Sequence, residues 1–130
     1  MHEYAVVSEL IAGLLPQLEP HPGRVEVVYL KKGEMRVLSE WAVKSAFEIL
    51  TRGTRLEGAR LEIEPVEARI RCPRCGYTGK PDYLDDPEFH FIVPVITCPQ
   101  CGAEVEVVSG RELYIDRVTV ESPAPTQNGA

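Results

Sequence analysis

The stretch that decides the fold is Cys72-Pro73-Arg74-Cys75-Gly76, which is echoed by Cys98-Pro99-Gln100-Cys101-Gly102. The chain has four cysteines, and all of them lie in these two motifs. A gap of two residues lets both thiolates of a tight turn face one ion, and two such turns complete a tetrahedral shell of sulfur ligands. The spacing therefore predicts one metal ion bound by Cys72, Cys75, Cys98 and Cys101.

The identity of this ion stays open between zinc and iron, because a tetrahedral shell of four sulfurs admits both. The two cysteine motifs, which we call knuckles, are also similar to those of rubredoxins, which are iron electron-transfer proteins. Two disulfides are the alternative to a metal, but paired knuckles suit a reducing compartment better than a secreted scaffold. We expect residues 71–108 to have too few apolar side chains for a core of their own, so the metal should supply much of their folding free energy.

Length and composition indicate one ordinary domain, or a small domain with a metal module. The chain has 130 residues, of which 44% are hydrophobic and 26% are charged. A net charge of −6 argues against a surface that neutralises phosphates, so we expect no nucleic-acid partner. No apolar run is long enough for a membrane span, and the start Met1-His2-Glu3 lacks the features of a signal peptide. The cytoplasm is the expected location.

The segments around the knuckles predict an α+β fold. Apolar residues at helical spacing indicate a helix over 3–15 that ends or kinks at Pro16, and Ser39 is a plausible N-cap for a second helix. Alternating apolar residues indicate strands over 24–30, 60–71 and 112–120, the second irregular at Pro65. We predict two helices on a small, mainly antiparallel three-stranded sheet, with an inserted zinc-ribbon-like module.

This arrangement predicts three parts of the chain. Residues 1–71 and 109–121 form the α+β domain, residues 72–108 form the metal module, and the small, polar residues 122–130 form a disordered tail. Within the helices, Trp41 and Phe47 are predicted to anchor the core. His21, between two prolines, is predicted to be a solvated loop residue.

The sequence resembles the hydrogenase nickel-incorporation protein A family (HypA). The matching pieces are Met1-His2-Glu3, Gly33-Glu34, the segments 46–54 and 56–63, and both knuckles in order. The likeness covers about residues 1–120. One departure is the spacing of the knuckles: 22 residues, 76–97, separate Cys75 from Cys98, which is similar to the long-loop archaeal kind.

Membership of this family implies a nickel site at the N-terminus and a structural zinc in the module. It also implies that the protein delivers nickel for maturation of nickel-iron hydrogenase, with the GTPase HypB and the hydrogenase large subunit as partners. Service to urease stays open. No nucleophile with an adjacent base, phosphate-binding loop or pair of acid/base carboxylates is evident, so we expect docking and not catalysis.

The chemistry of the N-terminus agrees with that implication. The α-amine of Met1, the deprotonated amide nitrogen of His2 and the His2 imidazole can form fused chelate rings, which suit square-planar Ni(II) or Cu(II). The fourth donor is either the Glu3 amide or a side chain from elsewhere. The Glu3 carboxylate is a candidate for the first helical turn, whose dipole favours an acid.

His90, in the long loop, has two interpretations. Its apolar neighbours Phe89, Phe91 and Ile92 favour a partly buried structural histidine. Alternatively, the loop tethered at Cys75 and Cys98 swings His90 over the N-terminus and completes the nickel site. We therefore keep Met1, His2, Glu3 and His90 as candidate nickel residues.

Three functions compete at this point: a nickel metallochaperone, a rubredoxin-like electron carrier, and a zinc-ribbon module that binds proteins or nucleic acid. A nucleic-acid binder needs a basic stripe with stacking aromatics, whereas the loop of this module carries acids. An electron carrier has no need of two helices, a sheet and a Met1-His2 start. The sequence favours the metallochaperone.

Overall fold

The computed structural model describes residues 2–86 and 91–121, and within these ranges the chain forms two helices and eight strands. In chain order they are α1 (His2–Leu18), β1 (Val25–Gly33), α2 (Glu40–Leu50), β2 (Arg60–Val66), β3 (Arg69–Arg71), β4 (Thr78–Gly79), β5 (Tyr83–Asp86), β6 (Phe91–Pro94), β7 (Glu106–Ser109) and β8 (Leu113–Val120). Three sheets result, with strand orders β2-β1-β8, β4-β3-β7 and β5-β6. The predicted α+β class is confirmed.

The first helix, α1, runs past Pro16 to Leu18, so the prediction that it ends at Pro16 is wrong by two residues, whereas a kink at Pro16 stays a prediction. A proline so close to the end of a helix removes little of its hydrogen bonding. The end of α1 is instead held from outside, since the guanidinium of Arg55 donates to the Leu18 carbonyl. The same group donates to the Gly23 carbonyl, at 3.1 Å from Nε and 2.9 Å from the second terminal nitrogen.

The second helix, α2, begins as predicted, at the N-cap Ser39, whose hydroxyl accepts a hydrogen bond from the Ala42 N–H at 3.2 Å. Its last helical residue is Leu50, and the C-cap is Thr51. The buried face consists of Val43, Ala46 and Phe47. Trp41 is 77% exposed, so the prediction that it anchors the core is wrong, whereas Phe47 is buried as predicted.

In the sheet β2-β1-β8, β1 is the central strand. Its pairing with β8 is antiparallel, because Gly33 donates to the Glu112 carbonyl at 2.7 Å and Glu121 donates to the Arg24 carbonyl at 2.7 Å. The single strand predicted over 60–71 is wrong: β2 ends at Val66, and β3 belongs to a different sheet. The predicted irregularity at Pro65 falls inside β2, an edge strand, where a residue that cannot donate is tolerated.

The chain divides into two compact units. The first contains 1–30, 38–63 and 114–130, and the second contains 31–37 and 64–113. The predicted division into 1–71 with 109–121, 72–108 and a tail stays a prediction, and the tail 122–130 lies outside the residues that the structure describes.

The two units differ in how much apolar surface they bury. In the first unit both helices and the strands contribute buried residues, namely Val7, Ile11, Leu14, Leu18, Val25, Val27, Val28, Leu30, Leu38, Val43, Ala46, Phe47, Leu56 and Leu61. Among the residues of the second unit whose side chains the structure describes, 31–37, 64–83 and 94–113, the buried apolar side chains are Ala68, Ile70, Cys72, Pro81, Pro94 and Cys98. The expectation that a metal stabilises this unit stays a prediction.

The second unit is built on β3, which pairs antiparallel with both β4 and β7, with a register shift between Arg69 and Ile70 on the β7 side. Strands β5 and β6 form a separate antiparallel hairpin, in which Tyr83 lies opposite Pro94 and Asp86 opposite Phe91. Within the described residues, no helix is long and apolar enough to cross a membrane.

Candidate functional site

The two cysteine motifs fold into equivalent turns. In the first, Cys72 donates its N–H to the Tyr77 carbonyl at 2.8 Å, and Gly76 donates to the Cys72 carbonyl at 2.9 Å. In the second, Cys98 donates to the Ala103 carbonyl at 2.7 Å, and Gly102 donates to the Cys98 carbonyl at 2.9 Å. The first turn follows β3 directly, and the second follows an isolated bridge between Thr97 and Glu104.

A glycine closes each turn because the backbone there is left-handed, with φ of 83° at Gly76 and 78° at Gly102. A Cβ atom at either position would meet nothing within 4 Å. The requirement for glycine is therefore one of backbone conformation and not of space.

Each turn also directs backbone N–H groups at its first sulfur. The Cys72 sulfur accepts from the Cys75 N–H at 3.5 Å, and the Cys98 sulfur accepts from the N–H groups of Gln100 and Cys101 at 3.3 and 3.4 Å. Such donors stabilise thiolates, the form in which cysteine binds metal.

The two turns bring the four sulfurs together, all within 4.8 Å of one another. The separation is 3.6 Å between the sulfurs of Cys72 and Cys101 and 3.5 Å between those of Cys75 and Cys98. A zinc–sulfur distance of about 2.3 Å places the corners of a regular tetrahedron about 3.8 Å apart. The donor set therefore fits one structural zinc, as the sequence predicted.

All four cysteines are free, so the alternative of two disulfides is not supported. Cys72 and Cys98 are buried, whereas Cys75 and Cys101 are exposed. One side of the cluster is thus packed in the protein and the other faces solvent. The cysteines would hold the zinc ion as four thiolate ligands, and the ion would supply the positive charge that keeps the thiolates together.

The surroundings of the sulfurs shift the pKa values of the thiols in opposite directions. The N–H of Cys75 lowers the pKa of the Cys72 thiol to about 7, although burial opposes this. At Cys98 burial raises the pKa, but the N–H groups of Cys101 and Gln100, together with the thiols of Cys75 and Cys101, outweigh it, and the pKa is lowered.

Cys75 behaves in the opposite way. The Tyr77 N–H lowers its pKa, but the neighbouring Cys98 sulfur, burial and the other thiols prevail and raise the pKa to about 12. The fold thus favours the first negative charges in the cluster and resists the later ones. A divalent ion removes that resistance, because it attracts all four thiolates at once.

At the N-terminus, α1 begins at His2, so the His2 amide belongs to the first helical turn, where no intrahelical carbonyl is available to it. Glu3, which is half-buried, has its carboxylate at the start of α2, where it accepts the Ser39 N–H at 3.1 Å. From the sequence, the Glu3 carboxylate was a candidate for a favourable interaction with the dipole of the first turn of α1. The structure shows that it also binds the N-terminus of α2.

Two of the candidate nickel residues, Met1 and His90, lie outside the residues that the structure describes. Their roles, and that of the His2 imidazole, stay predictions. His21 is exposed, as predicted for a solvated loop residue.

Sequence reasoning gave Glu34 no definite role, and the structure gives it one. Its Oε1 accepts the Ala68 N–H at 2.8 Å and the Tyr83 hydroxyl at 2.9 Å. Burial and this carboxylate raise the pKa of Tyr83 to about 12. Glu34 therefore ties the end of β1 to the start of β3 and to the base of the β5–β6 hairpin. The signal in the sequence was its place in the Gly33-Glu34 pair.

Fold and site together define a small α+β protein with a four-cysteine zinc-binding module. Residues 1–120 match the family described as hydrogenase/urease nickel incorporation, metallochaperone, hypA. The chain is 36% identical to the hydrogenase maturation factor HypA of Pyrococcus furiosus, covering 93% of this chain and 96% of that protein. It is 39% identical to the HypA of Thermomicrobium roseum, covering 88% and 94% respectively.

Solved structures agree on the fold. The nickel metallochaperone HypA from Helicobacter pylori gives a TM-score of 0.61 at 23% identity, covering 93% of this chain and 98% of that one. A second solution structure of a HypA protein gives 0.63 at 26% identity, covering 93% and 97%.

The chain belongs to the HypA family, the nickel metallochaperones of hydrogenase maturation. The electron-carrier and nucleic-acid-binding alternatives are not favoured, because the match spans both the helical part and the knuckles. Membership also selects zinc over iron for the four-cysteine centre.

Proposed function

We propose that this protein carries Ni(II) at its N-terminus and hands it on by docking, without catalysis, to the partners of hydrogenase maturation. Those partners are the GTPase HypB and the hydrogenase large subunit, met in the cytoplasm. The observation that carries the proposal is the family match, which begins at residue 1 and so includes the Met1-His2-Glu3 start.

The nickel donors in this proposal are the Met1 amine, the His2 amide nitrogen, the His2 imidazole and the Glu3 amide nitrogen. The start of α1 suits such a chelate. An amide nitrogen must lose its proton to bind Ni(II), and at a helix N-terminus that loss breaks no intrahelical hydrogen bond. His90 is the alternative fourth donor, carried on a loop whose base is fixed by β5–β6 pairing.

The proposal is tested by nickel titration of untagged, zinc-loaded protein, with an intact Met1 amine verified by mass spectrometry. We expect His2→Ala to abolish tight nickel binding and to leave the zinc content unchanged. The matched control is His21→Ala, which removes an exposed histidine near the other end of α1 and should bind nickel like the parent.

A Gly-Ser-Gly extension before Met1 should have the same effect as His2→Ala, since the amine is moved away. A single added residue is unsuitable, because the amine, two amides and the imidazole would again form a chelate. If nickel binding survives both His2→Ala and the extension, the site lies elsewhere. A further comparison of His90→Ala with the parent, alone and with HypB, decides whether His90 is a donor.

A further inference from the structure

The start of α2 has an incomplete local cap. Ser39 is the N-cap residue, with φ −73° and ψ 122°, and its hydroxyl accepts the N–H of Ala42, the third helical residue. In a complete capping box, a Glu or Gln at that third position would accept the N–H of the cap residue in return. Ala42 has no group that can do so.

Glu3, from the first turn of α1, takes the missing position. Its Oε2 lies 3.1 Å from the Ser39 nitrogen, in a partly buried contact. A carboxylate there also lies at the positive end of the α2 dipole. The capping box of α2 is therefore completed by a residue 36 positions away in the sequence, on the neighbouring helix.

We propose that Glu3 is a positioning residue, whose side chain fixes the nickel-binding peptide against the N-terminus of α2 and does not ligate nickel. This inference rests on the proposed nickel function. Glu3 supplies a backbone nitrogen to the chelate in that function, so the contact that holds its side chain also holds the donor atoms of residues 2 and 3.

The consequence is a preorganised chelate. The first turn of a helix frays readily, and nickel binding to a frayed segment is weakened by the fraction of time for which the segment is ordered. Loss of one charge-assisted hydrogen bond corresponds to about a tenfold change in that equilibrium. We therefore expect Glu3→Ala to weaken nickel binding about tenfold, and Ser39 to exchange its amide hydrogen faster.

The test compares Glu3→Gln with Glu3→Ala. Glutamine keeps an oxygen of the same reach, which can accept from the Ser39 N–H, but it is a poor substitute for a carboxylate ligand. Glu40→Ala is the matched control, since it removes a carboxylate from the first turn of α2. The readouts are nickel affinity by chelator competition, the visible spectrum at nickel saturation, Ser39 amide exchange and zinc content.

We expect Glu3→Gln and Glu40→Ala to bind nickel within about threefold of the parent, and Glu3→Ala to bind about tenfold more weakly. The saturated spectra should be the same in all of them. Equal weakening by Gln and Ala, or a spectral change in either, would show that the carboxylate is a ligand and would overturn the proposal. No weakening in Glu3→Ala would overturn it too.

If Glu3→Ala folds poorly, a second variant tests the same hydrogen bond from the Ser39 side. Ser39→Pro removes the donor N–H and leaves Glu3 in place, and a φ of −73° suits proline. Ser39→Ala, which keeps the N–H, controls for the lost hydroxyl. Ser39→Pro should weaken nickel more than Ser39→Ala does, and adding Glu3→Ala to Ser39→Pro should have no further effect.

Additive effects of Glu3→Ala and Ser39→Pro would contradict the proposal, because residues that act through one contact do not weaken binding independently. If the proposed nickel site at the N-terminus is wrong, the variants give a different pattern of nickel binding. In that case His2→Ala binds nickel like the parent, whereas failure of the positioning role leaves His2→Ala defective and Glu3→Ala unaffected.

Discussion

Replacing Glu34 with alanine should destabilise the second unit more than replacing Glu67, an exposed acid in the same unit, does. Glu34 Oε1 accepts two hydrogen bonds, from the Ala68 N–H at 2.8 Å and from the Tyr83 hydroxyl at 2.9 Å. Both are lost in Glu34→Ala. Glu34, Ala68 and Tyr83 all belong to the second unit, so the loss of these contacts should act on that unit.

The two hydrogen bonds differ in what their loss costs. Ala68 is completely buried, so its N–H would lose its acceptor without gaining water, at a cost of about 1–3 kcal/mol. Tyr83 is 38% exposed and its hydroxyl can turn to solvent, so its share is about 0.5–1 kcal/mol. The sum is about 1.5–4 kcal/mol. Glu34→Gln, which keeps an acceptor oxygen, should cost about 1 kcal/mol.

The assay is amide hydrogen exchange of zinc-loaded protein, read at Ala68, together with chemical denaturation. A loss of about 2 kcal/mol makes exchange through local opening roughly 30-fold faster. Amide exchange at Val43, which is buried in the first unit, reports on that unit separately. Tyr83→Phe should show only the smaller share, and in a double-mutant cycle with Glu34→Ala its effect should disappear.

Glu67→Ala is the control. Glu67 is an exposed acid in the same unit, and it forms ion pairs with Arg69 at 3.2 Å and Lys80 at 2.8 Å. Exposed ion pairs contribute little, so this variant should behave like the parent. The reasoning is refuted if Glu34→Ala leaves Ala68 exchange unchanged, or if Glu67→Ala is equally destabilising.

Three further results are expected. Cys98→Ser should lose stoichiometric zinc and loosen the second unit, while amide exchange at Val43 in the first unit stays that of the parent; retention of zinc at full stoichiometry would contradict the four-sulfur centre. Gly76→Ala should destabilise the zinc-loaded protein by about 1–2 kcal/mol, measured by denaturation, purely through its backbone conformation; no change would mean that the left-handed turn is not needed. Tyr83 should ionise near pH 12, as ultraviolet absorbance of the parent minus Tyr83→Phe would show. Because the folded chain holds this proton more tightly than the unfolded one, its contribution to stability is complete below about pH 10 and is lost as the pH rises towards 12, and a normal titration near pH 10 would contradict burial beside Glu34.

Local patterns in the sequence were sufficient for the knuckles, the Ser39 cap and the buried face of α2, because each depends on residues within a few positions of one another. The spacing of Trp41 from Val43 was also informative. Two residues correspond to about 200° around a helix, so Trp41 lies on the face opposite the buried stripe, and its exposure follows. Its size alone had suggested a core role.

Contacts between distant segments were beyond such patterns. The strand predicted over 60–71 shows a change of phase at Pro65, and the structure shows that the chain leaves one sheet after Val66 and joins another at Arg69. A bulge within one strand and a change from one sheet to another both shift the alternation of apolar residues, so the sequence does not distinguish them. The Glu34–Tyr83 and Glu3–Ser39 contacts join residues 49 and 36 positions apart, and no local rule pairs them.

The zinc centre and the proposed nickel site differ in how readily each would release its ion, as expected for a structural metal and a transported one. The zinc centre uses four side chains from two rigid turns, with backbone N–H groups on the sulfurs and two cysteines buried, so release of the ion requires the unit to open. The proposed nickel chelate uses consecutive residues at one helix end, so fraying of a single turn would disassemble it. The contact between the Glu3 side chain and the Ser39 N–H would then control how tightly nickel is held. A partner could weaken nickel binding by competing for the Ser39 N–H, or by pulling the first turn of α1 away from α2. In either case it would contact none of the nickel donor atoms.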